Sequence, residues 1–222
     1  MKTKININYI KVDSDISFRQ RGKLGNIIKR HALIAGRILH IPFVTITIYP
    51  KSNWTIPETG ENGYTPSGDW MQIYIDPKNK YHSFDFIANN IIPGTIYHEM
   101  NHVARWRAVG FGKSLIEAII SEGLASIFER EQWKRFTAPW ANWEEKEIIN
   151  FINIFRKRDR KKDTAYNHSE WFFGKGKLPR WIGYKLGAYI VESARKNYPK
   201  ISWHKLTAME ASDIIEKSGV KM

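Results

Sequence analysis

The chain has 222 residues, 42% of them hydrophobic and 14% aromatic, and 35 Lys+Arg against 22 Asp+Glu give a formal net charge of +13. This composition excludes a disordered chain and a membrane span, and suits one domain over residues 1–222 with a good core. Cysteine is absent, which rules out disulfides and thiolate metal sites, so any metal must rest on His, Asp or Glu.

The N-terminus "MKTKININYIKVDSD" has basic residues but no apolar segment and no small-residue cleavage site. No signal peptide is expected, and a cytoplasmic location is the default. Alternation over 5–12, clearest in "INYIKV" at 7–12, predicts a short strand. Residues 16–40 predict a long helix with Ile27, Ile28, Leu33, Ile34 and Leu39 as apolar positions. "FVTITIY" (43–49) is β-branched and alternating, a strand. The Gly-, Pro-, Asn- and Ser-rich stretch 50–68 predicts a loop, and "WMQIYID" (70–76) a second strand.

The rest reads as helix. Residues 84–91 form one, and Pro93 can open another because its missing N–H costs nothing in a first turn. That helix, 94–107, stops before Gly110 and Gly112. Lys113 or Ser114 starts the next, to about residue 134, and 143–158 is amphipathic with acids first and bases last. "RKRDRKKD" (156–163), the one dense basic cluster, reads as a helix end running into a loop. Pro179 opens a helix over 180–197, and 207–217 forms a last one. Few strands followed by many helices predict an α+β fold: helix plus a small sheet in 1–80, a helical part in 81–222.

"TIYHEMNHVARW" (95–106) contains H-E-x-x-H at His98, Glu99 and His102. At about 100° per residue, Ile96, Met100, Val103 and Ala104 share one arc facing the core. His98 and His102 stack one turn apart on the far side, able to reach one cation, and Glu99 sits beside that cation as a proton acceptor. A pattern this short also arises by chance on a solvated helix face, and two ligands do not complete a site.

Glu122, in "LIEAIISEGLASIFER" (115–130), is the candidate third ligand. The helix is apolar over most of its circumference, and a buried carboxylate there needs a cation or several donors. Pairing with Arg105 or Arg107 is the alternative. Gly123 lets another helix or the metal site approach closely.

The spacing His98-Glu99-x-x-His102, nineteen residues, then Glu122 resembles the gluzincin (thermolysin-like) metallopeptidases. More closely, "TIYHEMNHVARW", "ISEGLAS" and "FFGKGKLPRWIGYKLGAYIVE" resemble a bacterial family of predicted Zn-dependent proteases built on a domain of unknown function, over roughly residues 90–215. The resemblance implies a zincin-like fold, Zn2+ on His98, His102 and Glu122, Glu99 as general base, and hydrolysis of peptide or related amide bonds. Thermolysin-like enzymes carry an Asp one turn after the third ligand to orient a histidine. Ser126 stands there instead and could accept an imidazole N–H without bringing charge.

Tyr184, on a Gly-flanked helix, is the first candidate to stabilise a developing oxyanion, ahead of Tyr189 and of His168 on a loop; for each taken singly, packing or a structural hydrogen bond is the commoner role. Strand 70–76 is either a sheet edge that pairs with an extended substrate or an ordinary strand over the core. Two rival readings remain: a basic nucleic-acid-binding protein with an incidental metal, and a binding module built on an idle zinc site.

Overall fold

A computed structural model describes residues 2–10, 16–50, 52–110, 112–158 and 160–222. β1 (Lys4–Tyr9), α1 (Phe18–Leu39) and β2 (Phe43–Pro50) form a parallel βαβ unit. The first strand ends at Tyr9, and the expected strand residues 11 and 12 lie outside the described residues. Ser17 caps α1 with a reciprocal Ser17–Gln20 capping box.

β3 (Glu61–Ser67) and β4 (Trp70–Ile75) complete a four-stranded sheet of order β1-β2-β4-β3, with β4 parallel to β2 and β3 antiparallel to β4. One expectation is corrected and one alternative is decided. Residues 61–67 are a strand, not a loop; "ENGYTPS" has no apolar alternation because its inward side chains, Glu61 and Thr65, are polar and answer to a polar interior. β4 is an interior strand, and the outer strand beside the motif helix is β3.

α2 (Phe84–Phe86), a π turn (Ile87–Ile91) and α3 (Ile92–Val109) form one continuous rod, not two helices. Pro93 cannot donate to the preceding turn and its ring crowds the carbonyl there. The wider turn, in which Ile92 N–H donates to Ile87 O, absorbs it without a break. α4 (Leu115–Gln132) begins at Ser114, whose side chain pairs reciprocally with Glu117. α5 (Glu145–Lys157) is followed by a 3-10 turn (Arg160–Ala165), so the basic cluster starts at a helix end as expected but its last residues lie in a 3-10 turn, not a loop.

α6 (His168–Phe173) places His168 at a helix start, not on a loop. α7 (Ile182–Asn197) follows. The final expected helix, 207–217, is α9 (Ala211–Ser218), and a short helix that was not expected, α8 (Trp203–Thr207), precedes it. Arg105 of α3 separates them by donating to the carbonyls of Thr207 and Met209 (3.1 and 2.9 Å). Among the described residues no helix is long and apolar enough to cross a membrane.

The fold is therefore α+β, in layers. Val44, Ile46, Ile48, Met71, Ile73 and Ile75 bury the inner face of the sheet under α1 and α3. α4 packs on the far side of α3, and α7 on α4. At the last contact the backbones touch: a Cβ on Gly123 would lie 2.2 Å from the Gly187 carbonyl group, and one on Gly187 2.0 Å from Ile119 O. The far side of α3 is therefore not open to water; its residues from Ile92 to Asn101 are all buried.

Candidate active site

α3 carries His98, Glu99 and His102 into the seam between the sheet and α4, and α4 carries Glu122 to meet them. Glu122 Oε2 lies 3.2 Å from His98 Nε2 and 3.5 Å from His102 Nε2. A tetrahedral zinc with ligands at about 2.0–2.1 Å places its donor atoms about 3.3 Å apart. Each imidazole therefore stands at ligand-to-ligand separation from the carboxylate. His98, Glu99 and His102 also offer donor atoms within 4.8 Å of one another. One oxygen of Glu99 is, however, committed elsewhere: Thr65 Oγ1 donates to Oε2 at 2.7 Å.

The partners of the other ring nitrogens support the same donor set. His98 Nδ1 lies 3.2 Å from Glu129 Oε2, and His102 Nδ1 lies 3.1 Å from Ser121 Oγ. A carboxylate on Nδ1 holds the proton there and turns the Nε2 lone pair toward a metal. Gly94 makes room for that carboxylate: a Cβ on it would stand 2.8 Å from Glu129 Oε1. Ser126 does not play the orienting part that was expected of it. Its hydroxyl is buried without a hydrogen-bond partner, and Glu129, one further turn along α4, takes the role. The alternative pairing of Glu122 is also absent: Arg105 serves the α8–α9 junction and Arg107 donates to Phe43 O.

Charge is concentrated in this seam. Burial would depress the His98 pKa, but hydrogen bonds to Glu122 and Glu129 and the nearby carboxylate charges hold it well above the ordinary value. Burial would raise Glu122, yet His102 and His98 pull its carboxyl well below the usual carboxylate range. Glu99 is raised by burial, against the charges of His102 and His98 and the Thr65 hydrogen bond. Glu61, on β3, is raised to about 7 by burial, opposed by a hydrogen bond from Thr95 and reinforced by the charges of Glu129 and Glu99. Thr95 Oγ1 donates to its Oε2 at 2.7 Å. A cluster this rich in carboxylates, with both imidazole Nε2 atoms facing one of them, suits a divalent cation.

Tyr184 stands beside the cluster, its ring 6.5 Å from that of His98, against Phe172, Trp181 and Trp140. Burial, then the charges of Glu122, Glu99, Glu129 and Glu61, push its phenol well up, so it stays protonated and able to donate. Gly183 admits it by leaving space for Phe172. His168 is exposed on one face and stacked on Phe172 on the other (4.4 Å, 20°), with Nδ1 3.3 Å from the Tyr166 hydroxyl. Burial of that face lowers its pKa and the charge of Glu122 raises it. Tyr189 packs against the apolar core.

Sequence reasoning missed Glu129, Ser121, Thr65 and Glu61. Glu129 follows Glu122 by seven residues, two helical turns on the same face, a spacing that was legible. Thr65 and Glu61 lay in the segment read as a loop.

Residues 27–216 match the model of a family described as "Predicted Zn-dependent protease (DUF2268)". The chain is also similar to the "Uncharacterized protein YjaZ" of Bacillus subtilis (strain 168), 26% identical over 183 residues, covering 78% of this chain and 67% of that one. No solved structure matches the chain.

Proposed function

The chain belongs to this family of predicted Zn-dependent proteases, and on that premise we propose that it is a zinc metallopeptidase of the gluzincin type, working as one domain on peptide or protein substrates. The observation that carries the reading is the convergence of His98 Nε2, His102 Nε2 and Glu122 Oε2 at 3.2 and 3.5 Å. Zinc on these three donors supplies a Lewis acid that polarises a carbonyl and makes water a nucleophile near neutral pH.

The chain's own groups do the remaining work. Glu99, buried next to the ligands, takes a proton from the attacking water on the oxygen that Thr65 leaves available and passes it to the leaving amine. Its raised pKa favours that exchange near neutral pH. Glu129 and Ser121 keep the imidazole rings in place. Tyr184 donates a hydrogen bond from its phenol to the carbonyl oxygen as charge gathers there, and His168 is the alternative donor.

Glu99→Gln tests the assignment. It should bind zinc as the wild type does and lose turnover of a peptide library. Turnover equal to wild type by that variant would remove Glu99 from the mechanism.

A further inference from the structure

The outer edge of β3 runs past Glu99. A Cβ on Gly63 would lie 2.4 Å from Glu99 Oε1, so nothing larger than glycine fits at that point of the strand. Backbone groups along a strand face its two neighbours alternately. Gly60 O accepts from Asp76 N–H (2.8 Å), on the side of β4. Glu61 O accepts from Ile56 N–H (2.9 Å), on the opposite side. Glu61, Gly63 and Thr65 therefore present their amides and carbonyls outward.

Two of the three are engaged by the chain itself. Ile56 covers Glu61, forming a bridge with it where the chain turns into β3. Thr65 O accepts from the Trp106 indole N–H (3.2 Å) at the end of α3. Both fences are anchored. Ile56 packs against the cluster of Ala138, Trp140, Ala141 and Trp181, and the neighbouring Glu58 pairs with Arg180 at 2.7 Å. Gly63 alone lies between them. Four residue steps separate Glu61 from Thr65, about 13 Å of strand, enough for about three residues of an extended partner. The site is also recessed, with Glu99 only 5% exposed and His98 8%.

We infer that this edge accepts a segment of about three residues, paired with the Gly63 backbone, so that the substrates are short peptides or peptide ends and not long extended strands of a protein chain. The inference rests on the zinc-peptidase reading and narrows its substrate class. A chain that continued along β3 in either direction would meet Ile56 or Trp106 and would have to turn away, so added residues would bring no further backbone pairing.

The test is a length series. Zinc-loaded Glu99→Gln protein is titrated with blocked, extended peptides of three, four, six and eight residues, and wild-type protein is assayed against the same peptides and against denatured casein. Affinity should rise to about four residues and then level off to within twofold, with casein cut far more slowly than the tetrapeptide. Trp106→Ala should restore the gain from four to eight residues; Trp106→Leu serves if the alanine variant does not fold. A tenfold or greater tightening from tetrapeptide to octapeptide without either substitution would overturn the inference while leaving the peptidase reading intact. Absence of binding at every length would overturn both.

Discussion

Thr65 Oγ1 donates a 2.7 Å hydrogen bond to Glu99 Oε2 and also lies 3.3 Å from the Glu99 carbonyl, so the strand beside the site fixes the carboxylate that the motif helix supplies. Held at one oxygen, Glu99 has its other, Oε1, beside Gly63.

Loss of that bond should weaken turnover without touching metal binding. Thr65→Val is expected to lower kcat about tenfold, the worth of one hydrogen bond to a charged group. KM and zinc content should stay near wild type, and Thr65→Ser should recover most of the rate. Equal kcat in Thr65→Val and wild type would show that the bond does not position the base.

Glu129 should matter for metal affinity although it is not a ligand. Glu129→Gln keeps the shape but removes the charge behind His98 Nδ1. Zinc affinity is expected to fall about 10- to 100-fold, measured by competition with a chromophoric chelator. Ser126→Ala, a neighbour whose hydroxyl has no partner, should leave affinity unchanged.

Proton and metal compete for the same imidazole. In the metal-free protein the His98 pKa is raised, so zinc must displace a proton up to a pH above the ordinary imidazole value. Affinity should therefore weaken as pH falls through that raised pKa. Calorimetry in buffers of different ionisation enthalpy should detect proton release on zinc binding near neutral pH. Zinc binding with no proton released at any pH between 6 and 8, a range of about two units around the ordinary value, would contradict the placement.

Glu61 gives a pH-dependent stability of definite sign. Its carboxyl titrates at 4.5 as an ordinary glutamate and at about 7 in the fold. The folded state then holds the extra proton, so the stabilisation is full below the lower value and is lost as pH rises through the higher one, on the order of 3 kcal/mol in all. In chelator-treated protein Tm should drop from pH 5 to pH 8, and Glu61→Gln should flatten that decline. An unchanged slope in the variant would assign the effect to other groups.

The contact between α4 and α7 leaves no room for a side chain. Gly123→Ala would push its methyl group into the Gly187 backbone, and Glu122 sits next door. A loss of about 3 kcal/mol is expected, a Tm lower by roughly 6–12 °C, with zinc affinity reduced as well. A fully stable variant would mean that the two helices separate freely.

What the amino-acid sequence revealed, and what it hid, divides along local and tertiary lines. The helices at 18–39, 92–109, 115–132 and 145–157 follow from apolar period and capping residues that act within a few positions, such as Ser114 with Glu117. The H-E-x-x-H spacing and Glu122 were legible as a candidate metal site because such a site calls for particular residue types. β3 was not, since a strand whose inward residues are Glu61 and Thr65 carries no apolar signature and exists to face a polar seam. For the same reason β4 was read as a candidate edge when β3 covers it. The continuity of the rod through Pro93 depends on a single wide turn that no local rule announces.

The central claim is that His98, His102 and Glu122 hold zinc. An anomalous-difference map of zinc-treated crystals, collected on both sides of the zinc absorption edge, tests it most directly. The account predicts one strong peak within bonding distance of His98 Nε2, His102 Nε2 and a Glu122 oxygen, lost in Glu122→Ala. A peak elsewhere on the chain with none between these three side chains would contradict it.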